Sequence, residues 1–266
     1  MADLVQFMPS QVALSVLFGT LIGLLLGLVG GGGSILTVPI LVYVIGLDVQ
    51  AATATSLAIV GTSALAGALP HARAGRVNLR VAAAFGLFGI AGAFAGTWLS
   101  HQVAGAWILL LFGLLMLVVA ARMWRRRPSQ RSQTAPAEAR VGWKAPVAGL
   151  AVGALTGFFG VGGGFLIVPA LVLALELPVA VAVGTSLVII AFNSASGIAA
   201  HFGSGGLDLA VAGMFIVGGL AGGLLGGRLA GRADERTLGR AFSVLVALVG
   251  AYLLIQNGLV ILSGRA

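Results

Sequence analysis

The sequence predicts an all-α polytopic membrane protein: an inverted-topology repeat of two five-segment units, each containing a broken or re-entrant Gly-rich helix. Three observations predict it. Of 266 residues 59% are hydrophobic and only 8% charged, against about 25% charged in ordinary soluble domains, so there are too few polar side chains to coat a water-soluble globule. Apolar windows of about 20 residues, the length that crosses about 30 Å of hydrocarbon, recur along the chain. The chain also aligns with itself at a shift of 130 residues, without a gap from Gly19/Gly149 to Leu99/Leu229, with 31 of 81 positions identical. Leu, Ala and Gly match by chance in such a composition. A His, a Thr-Ser pair and a Pro in one register do not, so one structural unit is used twice.

The segments follow in order. The first, 10–29, is preceded by MADLVQFMPSQ, which has no basic n-region, so it reads as a retained span rather than a cleaved signal. It runs into GLVGGGGSILTVP, Gly27 to Pro39, after which the second segment, 34–47, reaches only about 20 Å as a helix and is too short to span. The third, 52–70, opens with Thr55-Ser56-Leu57. The fourth, 80–99, carries glycines at 86, 89, 92 and 96, the small-residue spacing of close helix packing. The fifth is 104–123. A basic, Pro- and Ser-containing stretch at 124–145 then breaks the apolar pattern and reads as a linker between the repeats 10–123 and 146–261. The second repeat runs 146–160, 164–176, 181–200, 208–229 and 240–261. Its break reads GFFGVGGGFLIVP, Gly157 to Pro169.

Charge sets the orientation. The formal net charge is +8, but 14 of the 15 Lys and Arg fall in 71–80, 122–144 and 228–240. These flank apolar spans, as cytoplasmic loops do under the positive-inside rule. A nucleic-acid partner is therefore not expected; the lipid bilayer is. Loop 71–80 has three Arg and its counterpart 201–208 has none, whereas 100–105 has none and its counterpart reaches Arg232, Arg236 and Arg240. Corresponding loops thus lie on opposite faces, which requires an odd number of crossings per copy and so an inverted repeat. With the linker 124–145 cytoplasmic, both termini come out external.

The glycines suggest the chemistry. A helix beginning inside the membrane leaves its first N–H groups unpaired where lipid cannot satisfy them. Those groups, at the positive end of the helix dipole, form an anion site that glycine lets a ligand approach closely. Close helix packing is the other reading of the same residues. The candidate anion-binding residues are Gly30, Gly32, Gly33, Ser34, Thr55 and Ser56 in the first copy, and Gly160, Gly162, Gly163, Gly164, Thr185, Ser186 and Asn193 in the second. The Ser and Thr hydroxyls either complete a ligand shell or bond back to their own helices. Asn193, whose counterpart is Ser63, needs partners for its four hydrogen-bonding positions. His71 and His201, paired by the repeat, and Glu176, paired with Gly46, are candidates for gating or proton coupling.

Cysteine is absent, which excludes disulfides and Cys-ligated metals. No nucleophile–base spacing, HExxH or P-loop occurs, so neither an enzyme nor a bound cofactor is expected.

Two copies of G-x-x-G-x-G-G followed by an apolar run ending in Val-Pro, each succeeded by a Thr-Ser-Leu helix and separated by a basic linker, resemble the sulfite exporter TauE/SafE family, also called the 4-toluene sulfonate uptake permease family. The likeness covers roughly 10–260. It implies an inner-membrane secondary carrier for small sulfur-containing anions such as sulfite or organosulfonates, working by alternating access, with export as the implied direction. The family's glycine motif falls on Gly30, Gly32, Gly33, Gly160, Gly162, Gly163 and Gly164, and its Thr-Ser motif on Thr55, Ser56, Thr185 and Ser186. The copies depart from each other where Gly31 faces Val161 and Ser34 faces Gly164 in the alignment, so the half-sites are expected to contribute unequally. A passive anion channel and a non-transporting membrane scaffold are the alternatives, and self-association through Gly-rich faces would make a homo-oligomer.

Overall fold

A computed structural model describes residues 9–100, 105–125, 142–159, 164–201 and 208–262. Helices fall where the apolar runs lie. They are α1 (Pro9–Val29), α2 (Ser34–Ile40), α3 (Val49–Arg73), α4 (Leu79–Ser100), α5 (Gly105–Arg125), α6 (Lys144–Phe159), α7 (Gly164–Leu173), α8 (Val179–His201), α9 (Leu209–Ala230) and α10 (Glu235–Leu262). Among the described residues there is no strand, and six helices are long and apolar enough to cross a membrane. Large apolar side chains such as Leu17, Phe94, Trp98 and Leu248 face outward. In water this would be costly; against acyl chains it is the expected surface.

The glycines decide which helices pair. α1 of the first repeat packs on α9 of the second, and α6 of the second on α4 of the first. A β-carbon on Gly19, Gly23 or Gly27 would run into the backbone of Phe215, Gly219 or Gly223. At the equivalent positions, Gly149, Gly153 and Gly157, it would run into Phe85, Gly89 and Ala93. Each pair in the first set maps onto one in the second by the 130-residue shift. The contacts are reciprocal: Gly222 and Gly226 abut Thr20 and Leu24, as Gly92 and Gly96 abut Leu150 and Ala154. Lipid supplies little driving force for burying apolar side chains, so association depends on backbones that approach closely enough for dispersion to add up. Both interfaces advance in step along both chains, so α1 runs parallel to α9 and α6 to α4.

The two Thr-Ser helices, α3 and α8, cross at the centre with Gly61 against Ser194. Leu57 packs on Gly197 and Leu187 on Gly67, again an exchanged pair, and here one chain advances as the other retreats. Equivalent helices therefore meet antiparallel. α3 is parallel to α9, with Ser63, Gly67 and Pro70 set against Gly219, Gly223 and Gly227, and hence parallel to α1. The chain must return between α1 and α3, and α2 makes that return.

α2 is followed by one π-helical turn, Leu41–Ile45, the local irregularity expected near Pro39, which lacks an N–H to donate. The return ends at Gly46, φ 86°, where Leu47 N–H bonds to Leu41 O at 3.0 Å. In the second copy Leu177 N–H bonds to Leu171 O at the same distance, and Glu176 takes the left-handed conformation at φ 54°. Both copies keep the turn, although the residue best suited to it is present in only one.

Candidate functional site

The first break is a true interruption of the helix. Gly30 closes α1 through its N–H on Leu26 O at 2.7 Å and turns the chain at φ 78°, ψ −123°, a conformation an L side chain resists. Gly31–Gly33 form one tight 3-10 turn before α2 starts at Ser34. In the second copy α6 ends at Phe159 and α7 begins at Gly164. The expectations at Gly160, Gly162 and Gly163, and for the His201 side chain, lie outside the described residues.

The two helix starts meet. A β-carbon on Gly31 would overlap the Gly164 carbonyl and approach the Phe165 nitrogen. One on Gly164 would lie 2.7 Å from Ser34 Oγ and 3.2 Å from Ile190 Cδ1. One on Gly30 would lie 2.7 Å from Ser186 Oγ and 2.7 Å from Val168 Cγ2. Gly30, Gly31, Ser34, Gly164 and Ser186 are thus gathered at one point, where the first repeat's break is clasped by the second repeat's α7 and α8. Gly32 and Gly33 face elsewhere, Gly32 toward Leu245 of α10 and Gly33 toward Ile22 and Leu26 of α1. The motif by itself does not single out Gly31. The signal for it is in the self-alignment: the two departures between the copies, Gly31 for Val161 and Gly164 for Ser34, are the two residues whose backbones touch.

The hydroxyls divide by chemistry. Ser56 Oγ donates to Thr53 O and Ser186 Oγ to Val183 O, each at 2.8 Å, and Ser34 Oγ donates to Gly31 O at 2.7 Å. These three serines commit their protons to backbone carbonyls, leaving lone pairs, which repel an anion. The threonines do the reverse. Thr185 Oγ1 accepts the Asn78 N–H at 3.0 Å and Thr55 Oγ1 the Asp208 N–H at 3.1 Å, so each keeps its own proton to donate. Both are fully buried. Asn78 and Asp208 are the caps of α4 and α9, accepting from Val81 N–H and from Ala210 and Val211 N–H. Among these hydroxyls, those of Thr55 and Thr185 are therefore the ones with protons left to donate.

The remaining candidates stand apart. His71 is buried at the end of α3, its Nε2 donating to Gly27 O at 3.1 Å, one of the last carbonyls of α1 and so without a donor inside its own helix. Its Nδ1 has no partner among the described residues. Glu176 is exposed at the turn after α7. Ser63 and its counterpart Asn193 share an unusual property: Ser63 Oγ and Asn193 Oδ1 are buried oxygens without a hydrogen-bond partner among the described residues. Among the described residues no group of three His, Cys, Asp or Glu is placed to hold a metal ion.

Three aromatic rings brace the second break. Phe112 of α5 lies 5.1 Å from Phe159 and 5.1 Å from Phe165, centroid to centroid, the latter edge-on. The end of α6 and the start of α7 are thereby both fastened to α5. The first copy has Val29 and Ile35 at the matching positions.

The family described as Sulfite exporter TauE/SafE matches residues 15–253. A probable membrane transporter protein of Xylella fastidiosa (strain 9a5c) is 40% identical over 240 residues, covering 89% of this chain and 92% of that protein. The probable membrane transporter protein YdhB of Bacillus subtilis is 26% identical over 241 residues, 88% of this chain and 96% of that one. MJ0441, a probable membrane transporter protein of Methanocaldococcus jannaschii, is 27% identical over 196 residues, 71% of each. No solved structure matches.

Proposed function

Because the chain belongs to the sulfite exporter TauE/SafE family, a family of membrane transporters by the names of its relatives, we propose that it is a secondary carrier of small sulfur-containing anions such as sulfite or organosulfonates. It sits in the inner membrane with the linker 124–145 cytoplasmic and both termini external, and export is its working direction. The observation that carries this reading is the contact of Gly31 with Gly164. Two short helices start close together, one from each repeat, and their positive dipole ends would add for a negative solute held between them. The hydroxyl protons of Thr55 and Thr185 would complete the donor set.

The antiparallel meeting of α3 and α8 supports the inverted relation of the repeats, because equivalent elements that run in opposite directions across one crossing are related by an axis in the membrane plane. Two such halves rocking about the paired starts expose the solute to one side and then the other. No nucleotide-binding motif occurs, so flux follows ion and substrate gradients.

The test is flux in proteoliposomes. Labelled sulfite or a small organosulfonate is expected to enter with saturation and to be accelerated by unlabelled anion inside. Conductance without trans-stimulation would assign a channel, and absence of any anion flux at verified reconstitution would assign a scaffold.

A further inference from the structure

The reciprocal contacts that relate the repeats at α1 with α9 and at α6 with α4 are not matched where α3 meets α9 and α8 meets α4. α3 is sealed on α9: Ser63 Oγ lies on the α-carbon side of Gly219, and a β-carbon on Gly223 would be 2.6 Å from Ser63 O and 3.1 Å from Gly67 N. A β-carbon on Gly227 would be 3.1 Å from Pro70 Cγ. α1 closes the same seam, with Gly27 Cα 3.2 Å from a β-carbon on Gly67 and His71 bonded to Gly27 O.

The equivalent seam is α8 against α4, with Asn193 in place of Ser63 and Gly89 in place of Gly219. These helices are joined at their starts by Thr185 and Asn78, and a β-carbon on Gly86 would lie 3.3 Å from Phe192 Cδ1 and 4.0 Å from Asn193 Oδ1. One turn on they have parted. A β-carbon on Gly89 would meet one atom within 4 Å among the described residues, Gly149 O of α6 at 3.6 Å. Its counterpart on Gly219 meets Gly19 O at 3.7 Å and, much closer, Ser63 Oγ. The α1 and α6 contacts thus match while the α3 and α8 contacts do not. Burial differs in the same sense: Ser63 is fully buried, whereas Asn193 is half-buried with its Oδ1 covered.

Gly89 gives the asymmetry its meaning. Glycine inside a helix is less stable than alanine by about 1 kcal/mol. At Gly219 the Ser63 contact demands it. At Gly89 nothing in this conformer does, since 3.6 Å is an ordinary van der Waals distance. A conformer in which Asn193 closes on Gly89 would demand it. The sealed end carries Arg73, Arg76 and Arg80 together with Arg232, Arg236 and Arg240, and Arg76 Nη2 donates to Gly231 O at 3.3 Å across it. By the positive-inside rule this end is cytoplasmic.

We infer that this conformer is the outward-open state of the transport cycle, and that the inward-open state arises by exchange, Asn193 of α8 docking on Gly89 of α4 as Ser63 of α3 leaves Gly219 of α9. The inference deepens the carrier reading and rests on it. The two orphan oxygens belong to this device: Ser63 Oγ meets Gly219 in this conformer, Asn193 Oδ1 would pass from beside Gly86 to Gly89 in the other, and neither has among the described residues a strong partner to hold its seam closed. A seam of backbone contacts and weak Cα–H···O interactions opens at lower cost than one of full hydrogen bonds.

The natural chain has no cysteine, so single cysteines report directly. In intact cells without substrate, Asn193→Cys is expected to react with a membrane-impermeant maleimide at least about tenfold faster than Ser63→Cys, since the minor state is populated at no more than about 10%. Equal rates, or the reverse order, would overturn the assignment. Should either core variant fail to insert, spin labels at exposed helix ends replace them. The pair Arg73→Cys with Arg232→Cys is expected to give a short, narrow distance distribution, and Leu99→Cys with Ala195→Cys a long one. Adding sulfite is expected to lengthen the first and shorten the second. Distances that move together, or first-pair distances exceeding the second, would overturn it.

Gly89→Ala separates the device from the fold. It should leave the unfolding temperature unchanged or higher, keep the fast labelling of Asn193→Cys, and abolish flux. A destabilised Gly89→Ala, or one with normal flux, would refute the exchange. Asymmetric labelling in a protein that moves no anion would keep the conformer assignment and sink the carrier reading instead.

Discussion

Thr185 of the second repeat holds the first residue before α4 of the first: its Oγ1 accepts the Asn78 backbone N–H at 3.0 Å, and Thr55 does the same for Asp208 at 3.1 Å. The Thr-Ser motif is therefore a cross-repeat latch as well as a source of hydroxyl protons. Thr185→Val keeps the shape and removes the acceptor, leaving a half-buried N–H unpaired. A loss of about 1–3 kcal/mol is expected, read as a lowered unfolding temperature in detergent. Thr185→Ser should recover most of it. Flux per folded molecule is expected to fall in Thr185→Val and survive in Thr185→Ser.

Gly31 is expected to be among the least replaceable glycines. Alanine at Gly31 would drive its methyl into the Gly164 carbonyl, forcing the two helix starts apart in a core that cannot relax cheaply. Correctly inserted Gly31→Ala protein should be scarce and inactive. At Gly213 and Gly239 a methyl would have no described atom within 4 Å, so Gly213→Ala and Gly239→Ala should match the natural chain or gain up to about 1 kcal/mol in stability.

Glu176 sits in a left-handed turn at φ 54°, where its counterpart is Gly46 at φ 86°. A side chain there costs about 1–2 kcal/mol. Glu176→Gly should raise the unfolding temperature, with anion flux and its pH dependence unaltered. A pH profile changed by this substitution would instead give the carboxylate a part in coupling.

His71 ties α3 to α1 by donating to Gly27 O at 3.1 Å. His71→Ala leaves that buried carbonyl unpaired, a destabilisation of about 1–3 kcal/mol, and weakens the sealed cytoplasmic seam. In the Ser63→Cys background it should speed labelling from the cytoplasmic side, measured in inside-out vesicles. Unchanged labelling would confine His71 to capping the helix.

The sequence by itself determined the solvent, the helices, the duplication and the break. Those follow from local quantities: apolar length against bilayer thickness, a 130-residue register, and glycines that cannot continue a helix. It also supplied the family resemblance. It did not disclose partners, because pairing depends on which backbones come close, and that is a property of two segments at once. That α1 pairs with α9 and α6 with α4, that Gly31 rather than Gly32 meets Gly164, and that Ser56 and Ser186 turn their protons inward while Thr55 and Thr185 reach across, were decided only in three dimensions. So was the difference between Ser63 and Asn193. Two copies of one sequence pattern have the same local preferences, and only the packed whole, in which Ser63 meets Gly219 and Asn193 does not meet Gly89, tells them apart.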